Sequence, residues 1–217
     1  MPCGQKEHRD NIQIRAGHTS AKPDHAPQTE ARKPLVAGRE IADCFRANNT
    51  RFLVTRPLRG AKLAIAHLQH IYDDSTKPVI LPPDEAFLLV LYLIDVEHRD
   101  LLPDQSSAPA THYPQGSICL VSLERGAAIS IQGNFDAIVF HFPHQHLTEL
   151  AEKAGEPRVD DLAICRGIYD QTIAALGAAI IPLLHASDGI QSQALQHIGL
   201  AVTAHLAHRY GRMRCLN

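Results

Sequence analysis

The spacing of hydrophobic positions divides the chain into three stretches. Residues 1–39 are polar, rich in Pro, His, Gln and Lys, and follow neither a period of 2 nor one of 3.6. They cannot bury enough surface to offset the entropy of ordering, so a flexible arm is expected there. Residues 40–47 read as a short helix ended by Asn48-Asn49. Over residues 61–72 one parity carries Leu63, Ile65, His67 and Ile71 and the other Lys62, Ala64, Leu68 and His70, a rough alternation that predicts a strand with the first set toward a core. Residues 87–94 are apolar on both parities and follow Pro82-Pro83, which favours a strand covered on both faces over a buried helix. Residues 103–115 form a loop by composition. Residues 117–123, 127–131 and 137–142 are then short strands, separated by Glu124-Arg125-Gly126 and Gly133-Asn134-Phe135-Asp136, a spacing that suggests antiparallel hairpins.

After Phe142 the period changes. Leu147, Leu150, Ala151 and Ala154 fall at helical spacing, with Gly155 and Pro157 as the stop. Asp170 is placed to cap a second helix that stacks Ile173, Leu176, Gly177, Ile180 and Leu184, and Pro182 should kink or end it. A third helix lines up Leu195, Ile198, Val202 and Leu206 and ends at Tyr210-Gly211. Strands come first and helices last, which predicts an α+β fold rather than alternating βαβ units. The expected organisation is an arm (1–39), an antiparallel β-domain (40–142), a helical subdomain (143–211) and a short tail (212–217).

Composition narrows the picture. At 217 residues with 45% apolar content the chain can build one sizeable core without disulfides or metals. Its five cysteines are scattered, with no C-x-x-C pair, which argues against a disulfide framework or structural zinc and fits a reducing cytoplasm. No apolar leader segment is read at the N-terminus, and the apolar run at 87–94 is too short to span a bilayer, so no membrane association is expected. Residues 1–62 hold 12 Lys/Arg against 6 Asp/Glu, and residues 63–217 hold 9 against 17. An acidic body is a poor nucleic-acid surface, since duplex binding rests on phosphate neutralisation.

An ordered set of segments carries a resemblance. Asp84-Glu85-Ala86-Phe87-Leu88, Tyr113-Pro114-Gln115-Gly116-Ser117-Ile118 and Gly133-Asn134-Phe135-Asp136 running into Phe140-His141-Phe142-Pro143 come first. Leu150-Ala151-Glu152-Lys153-Ala154-Gly155 with Pro157-Arg158, and His205-Leu206-Ala207-His208-Arg209-Tyr210-Gly211, follow. Together, over about residues 52–211, they resemble the N-terminal effector domain of AraC/XylS-type transcription regulators. The resemblance implies a cupin-like antiparallel β-barrel followed by a C-terminal helical subdomain, a small-molecule effector in the barrel, and dimerisation through the helices. Leu195, Ile198, Val202 and Leu206 are then the expected dimer stripe, in a homodimer or a heterodimer with a related regulator. In that family the chain runs on into two helix-turn-helix units; here six residues follow Gly211, so a regulator truncated before its DNA-binding domain, without direct DNA binding, is expected.

Candidate chemistry is sparse. His141-x-x-His144-x-His146 is the sharpest histidine cluster, and imidazole suits transition metals. Metal-binding cupins place H-x-H on an early strand, whereas here His144 and His146 follow Pro143 at a helix start, where they diverge by about 200°. No metal, no cofactor and no catalytic residue is assigned, and the chain is expected not to be a catalyst; the rival reading is a metal-dependent cupin enzyme. Four residues are candidates for the effector pocket. His67 shares parity with Leu63 and Ile65, as a hydrogen-bonded core residue or a cavity residue; Tyr92 and Cys119 lie mid-strand and offer one polar atom each in an apolar wall; His141 lies on a strand whose cavity face is unassigned. Cys119 has no neighbouring base to make it a nucleophile.

Overall fold

The computed structural model describes residues 38–212 apart from 59, 74, 103–105, 157 and 187–190. The arm expected over residues 1–39, all but its last two residues, and most of the tail lie outside the described residues. Everything described belongs to one compact unit, Arg32–Asn217. It opens with helix α1 (Gly38–Phe45), which ends where Arg46 takes a left-handed φ of 52°, ahead of the Asn48-Asn49 stop read from the sequence. Strands β1 (Asn49–Thr55), β2 (Leu63–Tyr72), β3 (Val79–Leu81), β4 (Ala86–Tyr92), β5 (Val96–Asp100), β6 (Thr111–Tyr113), β7 (Ser117–Ser122) and β8 (Ala127–Pro143) follow. Helix α2 (His144–Ala154), strands β9 (Asp161–Leu162) and β10 (Cys165–Tyr169), helices α3 (Gln171–His185) and α4 (Gln191–Tyr210) and strand β11 (Gly211–Arg212) complete the chain. All ladders are antiparallel. The α+β order is therefore observed, strands first and most helix last.

The two hairpin strands expected at 127–131 and 137–142 are one strand. β8 runs 17 residues, and Gly133, the residue read as a turn, instead takes φ 78° within it. At that bend β8 changes partners: Ala127 to Gln132 ladder with β3 and β5, whereas Gly133 to Pro143 ladder with β2 and β4. One sheet thus runs β1-β2-β8-β4-β7-β10, and β3, β5 and β6 gather on the other half of β8. The closed barrel expected from the resemblance is not formed among the described residues, because β1 and β10 pair only with β2 and β7 and so leave that sheet open at both edges.

The larger sheet is buried on both faces. Ala64, Ala66, Leu68, Leu88, Val90, Tyr92, Cys119, Ala137 and Val139 point inward between the sheets, where Ile41 and Phe45 of α1 close the core. Alternate residues, among them Leu63, Ile65, Leu89, Leu91, Ile118, Leu120, Ile138 and Phe140, lie under α2, α3 and α4. This is why residues 87–94 are apolar on both parities. It also redirects the third helix: Leu195, Val202 and Leu206 are buried against this chain's own sheet and Ile198 is half-buried beside them. The stripe expected to meet a second subunit is thus covered within the subunit.

Asp170 ties the helices together. Its Oδ1 accepts from the Ile173 amide at 3.0 Å as the cap of α3, and its Oδ2 accepts from His205 Nε2 and the Tyr210 hydroxyl of α4, both at 2.8 Å. Although burial opposes the charge, these donors hold its carboxyl below the usual carboxylate range.

Replacing Gly133 tests the bend. A Cβ there meets nothing within 4 Å, so Gly133→Ala should cost only the left-handed backbone penalty, about 1–2 kcal/mol, read as a lowered urea midpoint at unchanged slope.

Candidate functional site

A polar inlay sits inside the otherwise apolar space between the sheets. Tyr92 ends β4 pointing inward, and its hydroxyl meets His98 Nε2 of β5 at 2.7 Å and donates to Cys119 Sγ of β7 at 3.5 Å. The His98 imidazole stacks on the Tyr113 ring of β6, with centroids 4.1 Å apart and planes 10° apart, and Tyr92 packs against the same ring at 5.2 Å. All four residues are buried, and His98 Nδ1 has no hydrogen-bond partner among the described residues. Above them Arg166 of β10 reaches Asp100 of β5, Nη1 to Oδ1 at 3.1 Å, across the gap between the sheets.

Burial keeps this inlay uncharged. It drives the Tyr92 hydroxyl well above its ordinary range and raises Tyr113 and Cys119. Burial, and then the Arg166 charge, push His98 down to about 4. At neutral pH the group is a neutral imidazole beside a protonated thiol, a set that can exchange hydrogen bonds but supplies no thiolate nucleophile.

Of the four residues singled out in the sequence, Tyr92 and Cys119 meet here. His141 also faces inward, opposite Leu88 and Ala64, but four residues along β8 from the partner of Tyr92, about 13 Å by strand rise. It is paired there with Asp84 at 2.8 Å, next to an open cleft of about 500 Å³ lined by Pro83, Asp84, Glu85, Glu124 and His144. His67 does not line the interior: it shares the face of Leu63 and Ile65, under the helices. Its Nε2 meets Asp136 at 2.8 Å and its Nδ1 meets His185 Nε2 of α3 at 2.9 Å, with Gln69 donating to the other Asp136 oxygen. A larger open cleft of about 580 Å³, lined by Asp95, Glu97, His112 and Gln132 among others, lies along β5 and β6.

His98, Tyr113, Asp100 and Arg166 were not singled out in the sequence. The signal for His98 was present, because Val96, His98 and Asp100 share one parity of β5, but charged Glu97 and Arg99 between them hide the alternation. Arg166 offered none, since its aim depends on the backbone of β10.

The histidine cluster disperses. His144 lies on the Phe87 ring and 3.8 Å from Glu124, whereas His146 is fully buried within the helical layer. Among the described residues no group of three His, Cys, Asp or Glu is gathered that could hold a metal ion. No helix among them is long and apolar enough to cross a membrane.

Fold and site together define an antiparallel two-sheet domain with a helical layer and an internal polar site. No protein-family model matches the chain, and no curated protein matches its sequence significantly. Among solved structures the chain is similar to oxalate decarboxylase of Bacillus subtilis: to a single-site variant of OxdC at 10% identity and a TM-score of 0.32, to a four-residue variant at 13% and 0.31, and to the enzyme at pH 4.6 at 10% and 0.32. Each match covers 43% of this chain and 24% of the other. These neighbours are enzymes, so the expectation that the chain is not a catalyst does not stand. A likeness this low assigns no oxalate chemistry to it.

Neutral burial of His98 has a measurable cost in acid. Its folded value of about 4 lies below the ordinary 6.5, so between the two the unfolded chain binds a proton that the folded chain does not. Stability is then full above the ordinary value and falls as pH drops toward the folded one, by about 3 kcal/mol at about 1.4 kcal/mol per unit. Urea unfolding from neutral pH down to about 4 should show that loss, and His98→Gln should flatten the profile by that amount.

Proposed function

We propose that the chain is a small-molecule-binding domain of the AraC/XylS effector-sensing kind, with its guest recognised in the inlay of Tyr92, His98, Tyr113 and Cys119 beneath Arg166. His98 Nδ1 carries this reading. An unpaired buried polar atom costs about 1–3 kcal/mol, and small-molecule sites combine apolar walls with a few such convergent groups. The ordered segments that resemble the regulator family support the sensing role, and a cytoplasmic location belongs to the same reading.

The two-faced sheet supplies a route from guest to helices. Tyr92 and Cys119 face the inlay, whereas Leu91, Ile118 and Leu120, one residue away on the same strands, carry the helical layer. A guest that spreads β4 from β5 shifts that footing and biases the helices toward one packing, a population shift in which only differential affinity counts. Pairing with a second copy or a related regulator, also implied by the resemblance, would use surfaces other than the buried Leu195 stripe.

A thermal-shift screen of metabolites tests the reading. One compound class should raise the unfolding midpoint, by the equivalent of about 2.7 kcal/mol at a hundredfold excess over Kd. His98→Gln and Tyr92→Phe, checked for fold by circular dichroism, should lose that shift; a shift that survives both variants puts the guest elsewhere. Following consumption of the compound in the same mixtures reads catalysis directly.

A further inference from the structure

Beside the inlay stands one ion pair that a backbone irregularity sets. β10 pairs with β7 in register at Cys165 and Arg166, and the register shifts before Ile168 because Gly167, at φ 65°, is the extra residue of a bulge. Such bulges re-aim side chains. Here Gly167 lies over the Tyr113 ring, where a Cβ would stand 3.4 Å from it, and Arg166, opposite Cys119, spans to Asp100 on the other sheet.

That pair is incompletely formed. Asp100 Oδ1 is buried and lies 3.1 Å from Nη1, yet it has no aligned hydrogen bond. The Arg166 charge reaches inward as well, since it is among the causes that lower His98 and oppose the rise of Tyr92, Tyr113 and Cys119. The inlay therefore presents one cation, one carboxylate weakly seated on it, and one buried imidazole nitrogen without a partner.

On the reading that the guest binds in this inlay, we propose that it is a small hydroxycarboxylate, whose carboxylate takes Arg166 in the two-pronged geometry that Asp100 does not achieve and whose hydroxyl pairs with His98 Nδ1. A hydroxyl donates or accepts, so it satisfies that nitrogen in either tautomer. Bidentate pairing with Arg is the stronger arrangement. Asp100 is then an internal competitor that stands in for the guest's carboxylate and, being partly exposed, turns toward water when the guest arrives.

The test is isothermal titration of the full chain with lactate, 3-hydroxybutyrate and mandelate. Each is compared with its amide, which lacks the charge, and with its deoxy acid (propionate, butyrate or phenylacetate), which lacks the hydroxyl. At least one hydroxy acid should bind, with its amide and its deoxy acid each about tenfold weaker or more, a step of about 1.4 kcal/mol apiece. Arg166→Gln should abolish the preference for acid over amide. Asp100→Asn should tighten the acid severalfold and leave the amide unchanged.

Amides that bind as well as acids, or a preference that persists in Arg166→Gln, overturn the hydroxycarboxylate assignment. If that binding is still lost in His98→Gln, the inlay remains the guest site and only the guest's class is wrong. Weaker acid binding in Asp100→Asn overturns the competitor role, and no binding by any hydroxy acid overturns the inference as a whole.

Discussion

Strand β8 is covalently common to both sheets, and the rest of the architecture depends on that sharing. Its first half carries β3 and β5, its second half β2 and β4, and Gly133 joins them at a positive φ. The second half cannot slip, because a shift of one residue would exchange the residues facing the inter-sheet core with those facing the helices, and Ala137 to Phe142 are buried on both parities. The spacing between the sheets, and so the placement of His98 opposite Tyr92, follows from where this strand bends.

The fold was legible where one periodicity ruled and obscure where two signals overlapped. The helices and the Asp170 cap stood out, because a 3.6-residue stripe with a capping residue has few competing explanations. Gly133-Asn134 looked like a hairpin turn, since glycine serves a tight turn and a bend within a strand equally well. The stripe of Leu195, Val202 and Leu206 told correctly that something covers it; periodicity does not say whether the cover is the same chain or another. The likeness to a closed barrel overreached for a related reason, because strand signals fix neither how far a sheet curls nor which edges meet.

The site was half legible. Tyr92 and Cys119 were identified as single polar atoms in apolar strands, and the structure brings them together. His67 carried the same signal but faces the helices, because in a sheet buried on both sides burial does not distinguish the inner face from the outer. Arg166 and Asp100 are joined only by the bulge at Gly167, a backbone feature that leaves little trace in Cys165-Arg166-Gly167-Ile168-Tyr169. The result is a small neutral site with its charges held at the rim, where solvent can stabilise them.

The Asp170 node has a mechanical consequence. One carboxylate holds the first turn of α3 and the last turn of α4, so the two ends of this helix pair that lie farthest apart in sequence are pinned at a common corner. Movement of one at that corner would carry the other, and the opposite end of α3 meets the sheet through His185 and His67. A displacement of β2 at His67 would therefore bear on α3 at the end opposite its Asp170 anchor.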